Sequence, residues 1–270
     1  MRSAITVSLV PEVRGGPFVF CDGLADGCRQ AAELGFDAVE VFPRSPAELN
    51  LPELRAELQR HSLQLAAMGT GAGWVVHQLR LTDPDAAVRA KAIDFVGQIV
   101  RIAGEFGAPA IIGSMQGRYE KNQPREEALR LLGDALLTLS RIAESAGTSL
   151  LIEPLNRYET NLLTSVIDSA DWVRTLSAPP VKLLCDLFHM NIEEADLANS
   201  LRAAGPLVGH VHFADSNRRA IGQGHTQIPP VIAALQEIGY AGYLSAEIFP
   251  LPDANAAARQ TIDSFRRFAR

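Results

Sequence analysis

The chain has 270 residues, 47% of them hydrophobic and 21% charged, enough to bury one large core at a length where α/β barrels form one domain. Lys+Arg 25 against Asp+Glu 31 gives a net charge of -6, which argues against nucleic-acid and anionic-membrane partners, because both need clustered basic residues. Cys21, Cys28 and Cys185 are too scattered for a disulfide framework or a Cys-rich zinc site, and no run approaches the roughly 18 apolar residues of a membrane helix. Ala4–Val10, closed by Pro11, reads as a strand rather than a signal peptide, so a cytoplasmic protein is expected.

Short β-rich runs alternate with helical patterns along the chain. The strands are expected at Ala4–Val10, Asp37–Phe42, Leu63–Met68, Ala110–Met115, Ser149–Glu153, Val181–Asp186, Leu207–Phe213 and Tyr243–Phe249. Most are continuous apolar runs, as suits parallel strands covered on both faces. Ala86–Phe106 places Val88, Ala92, Phe95, Val96, Ile99, Ile102, Ala103 and Phe106 at helical spacing, and Arg125–Ala146 does the same with Leu129, Leu132, Leu136, Leu139 and Ile142. Gly35, Gly107, Gly147, Gly205 and Gly239 stop helical patterns before a strand. Eight such units predict a single-domain (β/α)8 TIM barrel over residues 1–270. An open doubly wound sheet is the alternative, but no G-x-G-x-x-G follows the first strand.

In a barrel the chemistry sits at the C-terminal ends of the strands. The fifth to eighth strands end at or beside Glu153, Asp186, His212 and Glu247. A carboxylate buried at the end of an apolar run is costly unless paired or bound to metal. Three converging on one rim would repel each other, and a divalent cation would satisfy all of them. Oxygen donors with one imidazole suit Mn²⁺, with Mg²⁺ or Co²⁺ as alternatives, and leave open positions for a chelating substrate. Taken singly, each acid reads more readily as a salt-bridge or cap partner, and His212 reads as well as a core histidine.

The segments around these positions resemble a known family. Ile152-Glu153-Pro154-Leu155-Asn156-Arg157-Tyr158-Glu159, Cys185-Asp186-Leu187-Phe188-His189-Met190-Asn191-Ile192-Glu193-Glu194, His210-Val211-His212-Phe213-Ala214-Asp215-Ser216-Asn217-Arg218 with Gly222-Gln223-Gly224-His225, and Ser245-Ala246-Glu247 are similar to the fifth- to eighth-strand motifs of the D-tagatose 3-epimerase (D-psicose, or allulose, 3-epimerase) family of xylose-isomerase-like barrels. The resemblance is specific from about Leu151 to Pro252 and generic before it. It implies that Glu153, Asp186, His212 and Glu247 bind the metal, that Glu159, His189 and Arg218 contact a small-molecule sugar, and that the protein is a homodimer or homotetramer. The activity so implied is epimerisation of a ketose at C3 through an enediolate. Glu153 and Glu247 on opposite faces of the sugar would remove and return the proton. The competing readings are an aldose–ketose isomerase, a keto-inositol dehydratase-type lyase and a non-enzymatic sugar-binding protein. With six histidines on an acidic chain, an endonuclease IV-type phosphodiesterase is disfavoured.

Residues elsewhere carry weaker signals. Gln116 and Arg118 follow the fourth strand, where the resemblance leads one to expect an aromatic wall. Arg118 and Lys121 could pair with an acidic substrate group or belong to a solvated loop. Trp74 could stack on a sugar or pack its loop. Glu40 could bind substrate or pair structurally. His210 is expected behind the barrel wall.

Overall fold

The computed structural model describes residues 1–178 and 180–269. Eight parallel strands close a barrel in sequence order. They are β1 (Arg2–Ser8), β2 (Ala38–Phe42), β3 (Gln64–Gly69), β4 (Ala110–Ile112), β5 (Leu150–Ile152), β6 (Val181–Asp186), β7 (Val208–His212) and β8 (Tyr243–Ala246). The helices are α1 (Leu24–Leu34), α2 (Leu51–His61), α3 (Ala72–Val75), α4 (Ala86–Gly104), α5 (Arg125–Ser145), α6 (Val166–Thr175), α7 (Leu187–Glu193), α8 (Leu197–Ala204), α9 (Ile228–Glu237) and α10 (Ala254–Phe268). Among the described residues, no helix is long and apolar enough to cross a membrane.

Local chemistry sets the boundaries. Asn50, Asp85, Ser165, Asp196 and Asp253 cap α2, α4, α6, α8 and α10 by accepting a first-turn backbone N–H. Gly35 ends α1 at φ 85°, a left-handed conformation that costs glycine little and other residues more. Several strand limits differ from expectation, and β1 is displaced by two residues toward the N-terminus without changing length. The fourth run turns into a 3₁₀ turn at Ser114–Gln116, β1 stops at Ser8, and β8 stops before Glu247. Met115, Val10 and Ile248 remain buried, so their apolar character reflects packing of the connections rather than strand pairing.

Residues alternate between the barrel's inside and the layer under the helices. Phe42, Ala67, Ile111, Leu151 and Leu184 form a separate interior cluster, whereas most other buried apolar residues lie between sheet and helices. One pleat above Leu151 lies Glu153, and one pleat above Leu184 lies Asp186. Register then sets Asp186 beside His212, and His212 beside Ser245, two residues before Glu247. The four sequence-singled residues therefore share the inward phase, at one height around half the rim.

Candidate active site

Glu153, Asp186, His212 and Glu247 are all buried, and each offers one ligand atom within 4.8 Å of the others'. His212 Nδ1 lies 3.4 Å from Asp186 Oδ2, 3.6 Å from Glu153 Oε1 and 3.8 Å from Glu247 Oε2. Glu153 Oε1, Asp186 Oδ2 and His212 Nδ1 are buried without a hydrogen-bond partner. Buried polar atoms are rarely left so. Three orphans converging on one point, with two carboxylates among them, form a donor set that fits a divalent cation.

Each donor is held from behind. Glu153 donates its backbone N–H to the Ile112 carbonyl at 3.0 Å and accepts Gln116 Nε2 at its own carbonyl at 2.8 Å. Gly113 lies against its carboxylate: a Cβ there would be 2.5 Å from Oε2. Asp186 caps α7 through Oδ1, accepting the Phe188 N–H at 2.8 Å, which leaves Oδ2 for the site. His212 Nε2 donates to Glu40 Oε1 at 3.0 Å, so the other nitrogen, Nδ1, is the one turned toward the acids. Glu247 is ion-paired with Arg218.

Burial and charge set the acid–base character. Burial pushes the Glu153 carboxyl up to about 7; His212 opposes this, and Glu247 and Asp186 add to it. Glu247 is raised as well, chiefly by burial. For Asp186 burial acts upward too, but His189, His212 and Arg218 hold it below the ordinary carboxylate range. The acids thus differ, with the two glutamates being the more basic.

His189, Glu159 and Arg218 meet above this cluster. His189 Nδ1 accepts the Asn156 backbone N–H at 3.2 Å, so the proton is on Nε2, 3.8 Å from Glu153 Oε1 and 3.6 Å from Asp186 Oδ2. Burial lowers its pKa. Glu159 Oε1 accepts Asn156 Nδ2 at 2.9 Å and lies 3.5 Å from Arg218 Nη1. The Arg218 guanidinium stacks 4.9 Å above the Phe188 ring. Its loop takes φ 57° at Arg218 and closes on Asp215, whose carboxylate accepts the backbone N–H groups of Ser216, Gly222, Gly224 and Thr226 at 2.7–3.0 Å.

A cavity of about 640 Å³ opens over the cluster. Glu153, Glu247, His189, Arg218 and Glu159 line it, whereas Asp186 and His212 lie beneath its surface, at most 1% exposed. Trp74 is on the wall. Gln116 is not: buried, it ties the Glu153 carbonyl to the Leu163 N–H. Arg118 and Lys121 are exposed and away from the cavity, as a solvated loop.

One expectation is overturned. His210 and His212 are two residues apart on one strand and therefore face the same way, into the barrel. His210 Nε2 donates to Glu40 Oε2 at 2.6 Å, while His212 holds Oε1. Glu40, completely buried in the middle of β2, pairs structurally and touches no part of the cavity. Burial pushes its carboxyl up, yet the two imidazoles outweigh that and hold it below the ordinary range. The signal for this trio was an acid inside Val39-Glu40-Val41 and a two-residue histidine spacing. Asn156 carried no signal beyond its place in the fifth-strand motif.

The xylose isomerase-like TIM barrel family model matches residues 28–268. The chain belongs to that family. D-psicose 3-epimerase of Agrobacterium fabrum is 30% identical over 228 residues, 82% of this chain and 77% of the relative. D-psicose 3-epimerase of Enterocloster bolteae is 36% identical over 233 residues, 82% of this chain and 75% of the relative. The structure of D-psicose 3-epimerase with D-tagatose from Clostridium cellulolyticum H10 superposes with a TM-score of 0.82 at 21% identity, covering 99% of both chains.

Proposed function

We propose that the protein is a metal-dependent ketose 3-epimerase and that Glu153, Asp186, His212 and Glu247 hold its cation. The convergence of three unpartnered buried atoms beneath a cavity that Glu153 and Glu247 both line carries this reading. The relatives named D-psicose 3-epimerase support it. Hard oxygen donors with one imidazole favour Mn²⁺ over Mg²⁺ or Co²⁺. The whole chain, residues 1–270, acts as one barrel domain, in the cytoplasm, as a homodimer or homotetramer.

A divalent cation bound there polarises a carbonyl oxygen, which acidifies the neighbouring C–H. Glu153 and Glu247 directly follow β5 and β8, three strands apart around the rim with β6 and β7 between, so a sugar between them meets one carboxylate on each face. One glutamate takes the C3 proton and leaves an enediolate. The other delivers a proton from the opposite face and inverts the centre. Their raised pKa values bring them closer to neutrality, where a general base works best. Arg218 and the Nε2–H of His189 bind the oxygens on which charge develops. Glu159 and Asn156 hold those two groups in place.

Incubating the metal-loaded protein with ketoses and aldoses in D₂O tests the assignment. Deuterium at C3 of a ketose is expected. Deuterium only at C1 or C2 would convert the reading to an aldose–ketose isomerase, loss of water to a lyase, and no exchange in any sugar to a binding protein.

A further inference from the structure

Where an aromatic wall was expected after β4, the chain carries Gln116, completely buried and outside the cavity. β4 ends at Ile112 and the chain bends into the turn at Ser114–Gln116, whereas β5 runs to Ile152 and leads directly into Glu153. Glu153 still donates its N–H to the Ile112 carbonyl at 3.0 Å. Among the described residues no backbone N–H reaches the Glu153 carbonyl in return, and the next residue, Pro154, has none with which to extend the pairing. Gln116 Nε2 fills that place at 2.8 Å. On its other side, Gln116 Oε1 accepts the Leu163 N–H at 3.2 Å.

One amide thus spans the connection from β5 to α6, tying its first residue, Glu153, to Leu163 near its end. The group must donate on one side and accept on the other. A carboxylate of the same shape only accepts, and a thioether offers no donor. Gln116 is itself fixed: Thr82 Oγ1 donates to its carbonyl at 3.0 Å, and its N–H donates to the Gly113 carbonyl at 2.9 Å. The middle of the connection has separate ties. Thr160 Oγ1 donates to the Gly117 carbonyl at 2.9 Å, and the Asn161 side chain exchanges two bonds with the Tyr119 backbone, each 3.0 Å. Loss of the Gln116 amide therefore frees the Glu153 peptide, while Asn156 and Glu159 stay on a connection that is still held.

We propose that Gln116 is a positioning residue for proton transfer: its amide holds the Glu153 peptide from behind and so sets where the Glu153 carboxylate stands against C3 of the sugar. The inference rests on the ketose 3-epimerase reading, which makes Glu153 one of the two proton carriers. A displacement of about 1 Å in a reacting group costs about 10²-fold in rate. The sugar meanwhile keeps Arg218, His189 and Glu159, so the rate suffers and the affinity does not.

Gln116→Met keeps the length of the side chain and removes both bonds. Calorimetry of the Mn²⁺-loaded protein with D-psicose counts intact sites and gives the sugar affinity, so deuterium uptake at C3 in D₂O can be expressed per site and any unfolded fraction drops out. At saturating sugar the uptake is expected to slow by at least about tenfold, with the affinity within about threefold of wild type. In the metal-free protein the Leu163 N–H is expected to exchange with solvent at least about tenfold faster. Asn161→Ala, which breaks both Tyr119 bonds and neither of Gln116's, is expected to keep its uptake rate within about threefold. Unchanged uptake per site in Gln116→Met overturns the proposal, as does a loss of sugar affinity equal to the loss of rate, an equally slow Asn161→Ala, or an unchanged Leu163 exchange rate. Normal uptake in wild type and Gln116→Met alike removes the positioning role alone. Wild-type protein that binds D-psicose and takes up no deuterium at C3 removes the epimerase reading and the positioning role with it.

Discussion

Glu40→Gln probes how the barrel interior holds His212. Glu40 has two oxygens, each accepting one imidazole Nε2–H, at 2.6 Å from His210 and 3.0 Å from His212. Glutamine keeps the shape but presents one oxygen and one NH₂. The NH₂ faces an imidazole donor, so that ring must either lose its bond or move its proton to Nδ1. If His212 moves it, Nδ1 carries hydrogen toward Glu153 and Asp186 and can no longer donate a lone pair. Both imidazoles are at most 1% exposed, so water cannot repair the mismatch. One unsatisfied buried group costs about 1–3 kcal/mol, and loss of a carboxylate behind a ligating histidine weakens metal binding about 10–100-fold. Mn²⁺ affinity, followed by the electron paramagnetic resonance of the free ion, is therefore expected to fall within that range, with the melting temperature of the chelator-treated protein also lower. Unchanged Mn²⁺ affinity in a folded variant would refute the reasoning.

Further expectations follow from the same geometry. Gly113→Ala puts a methyl 2.5 Å from Glu153 Oε2, and Glu153 is tethered on both sides of its own peptide, so turnover should fall by at least tenfold while the circular dichroism spectrum stays the same. Glu153→Gln and Glu247→Gln should each abolish C3 deuterium exchange while sugar binding, measured by calorimetry, persists. Normal exchange in either variant removes the two-carboxylate scheme. Asp215 bears on pH. Burial raises its carboxyl, but four backbone N–H bonds prevail and hold it below the ordinary value. Its contribution to stability is thus complete above the unfolded pKa of about 3.9 and disappears as pH falls through the lower folded value. Asp215→Asn should lower the melting temperature at pH 7, and the gap to wild type should close below about pH 4. A gap of the same size at both pH values contradicts this.

The second half of the candidate site was legible because each side chain of the cluster interrupts an apolar run at a strand's end, where burial of charge demands an explanation. Glu153, Asp186, His212 and Glu247 all stood out in this way, and the structure gathers them. The strand limits were less legible. Ile111-Ile112-Gly113-Ser114-Met115 is interrupted only by Gly113 and Ser114 before the apolar Met115, and only its first part pairs with β5. The short helix α7 starts at the residue after Asp186, so it had no separating loop to announce it. Glu40 and His210 are 170 positions apart, and nothing local tells either residue what it will meet. The period of two does place His210 on the inside with His212, a consequence of strand geometry that needs no tertiary information.

The cavity divides between the two ends of the polypeptide. The cluster of three acids and one imidazole is contributed after residue 150, and the wall with Phe18, Phe42 and Trp74 before residue 115. An ancestor could exchange its early connections for others without disturbing a single member of that cluster. Splicing the first four strand–helix units of one relative onto the last four of this chain would replace that wall while keeping the cluster whole.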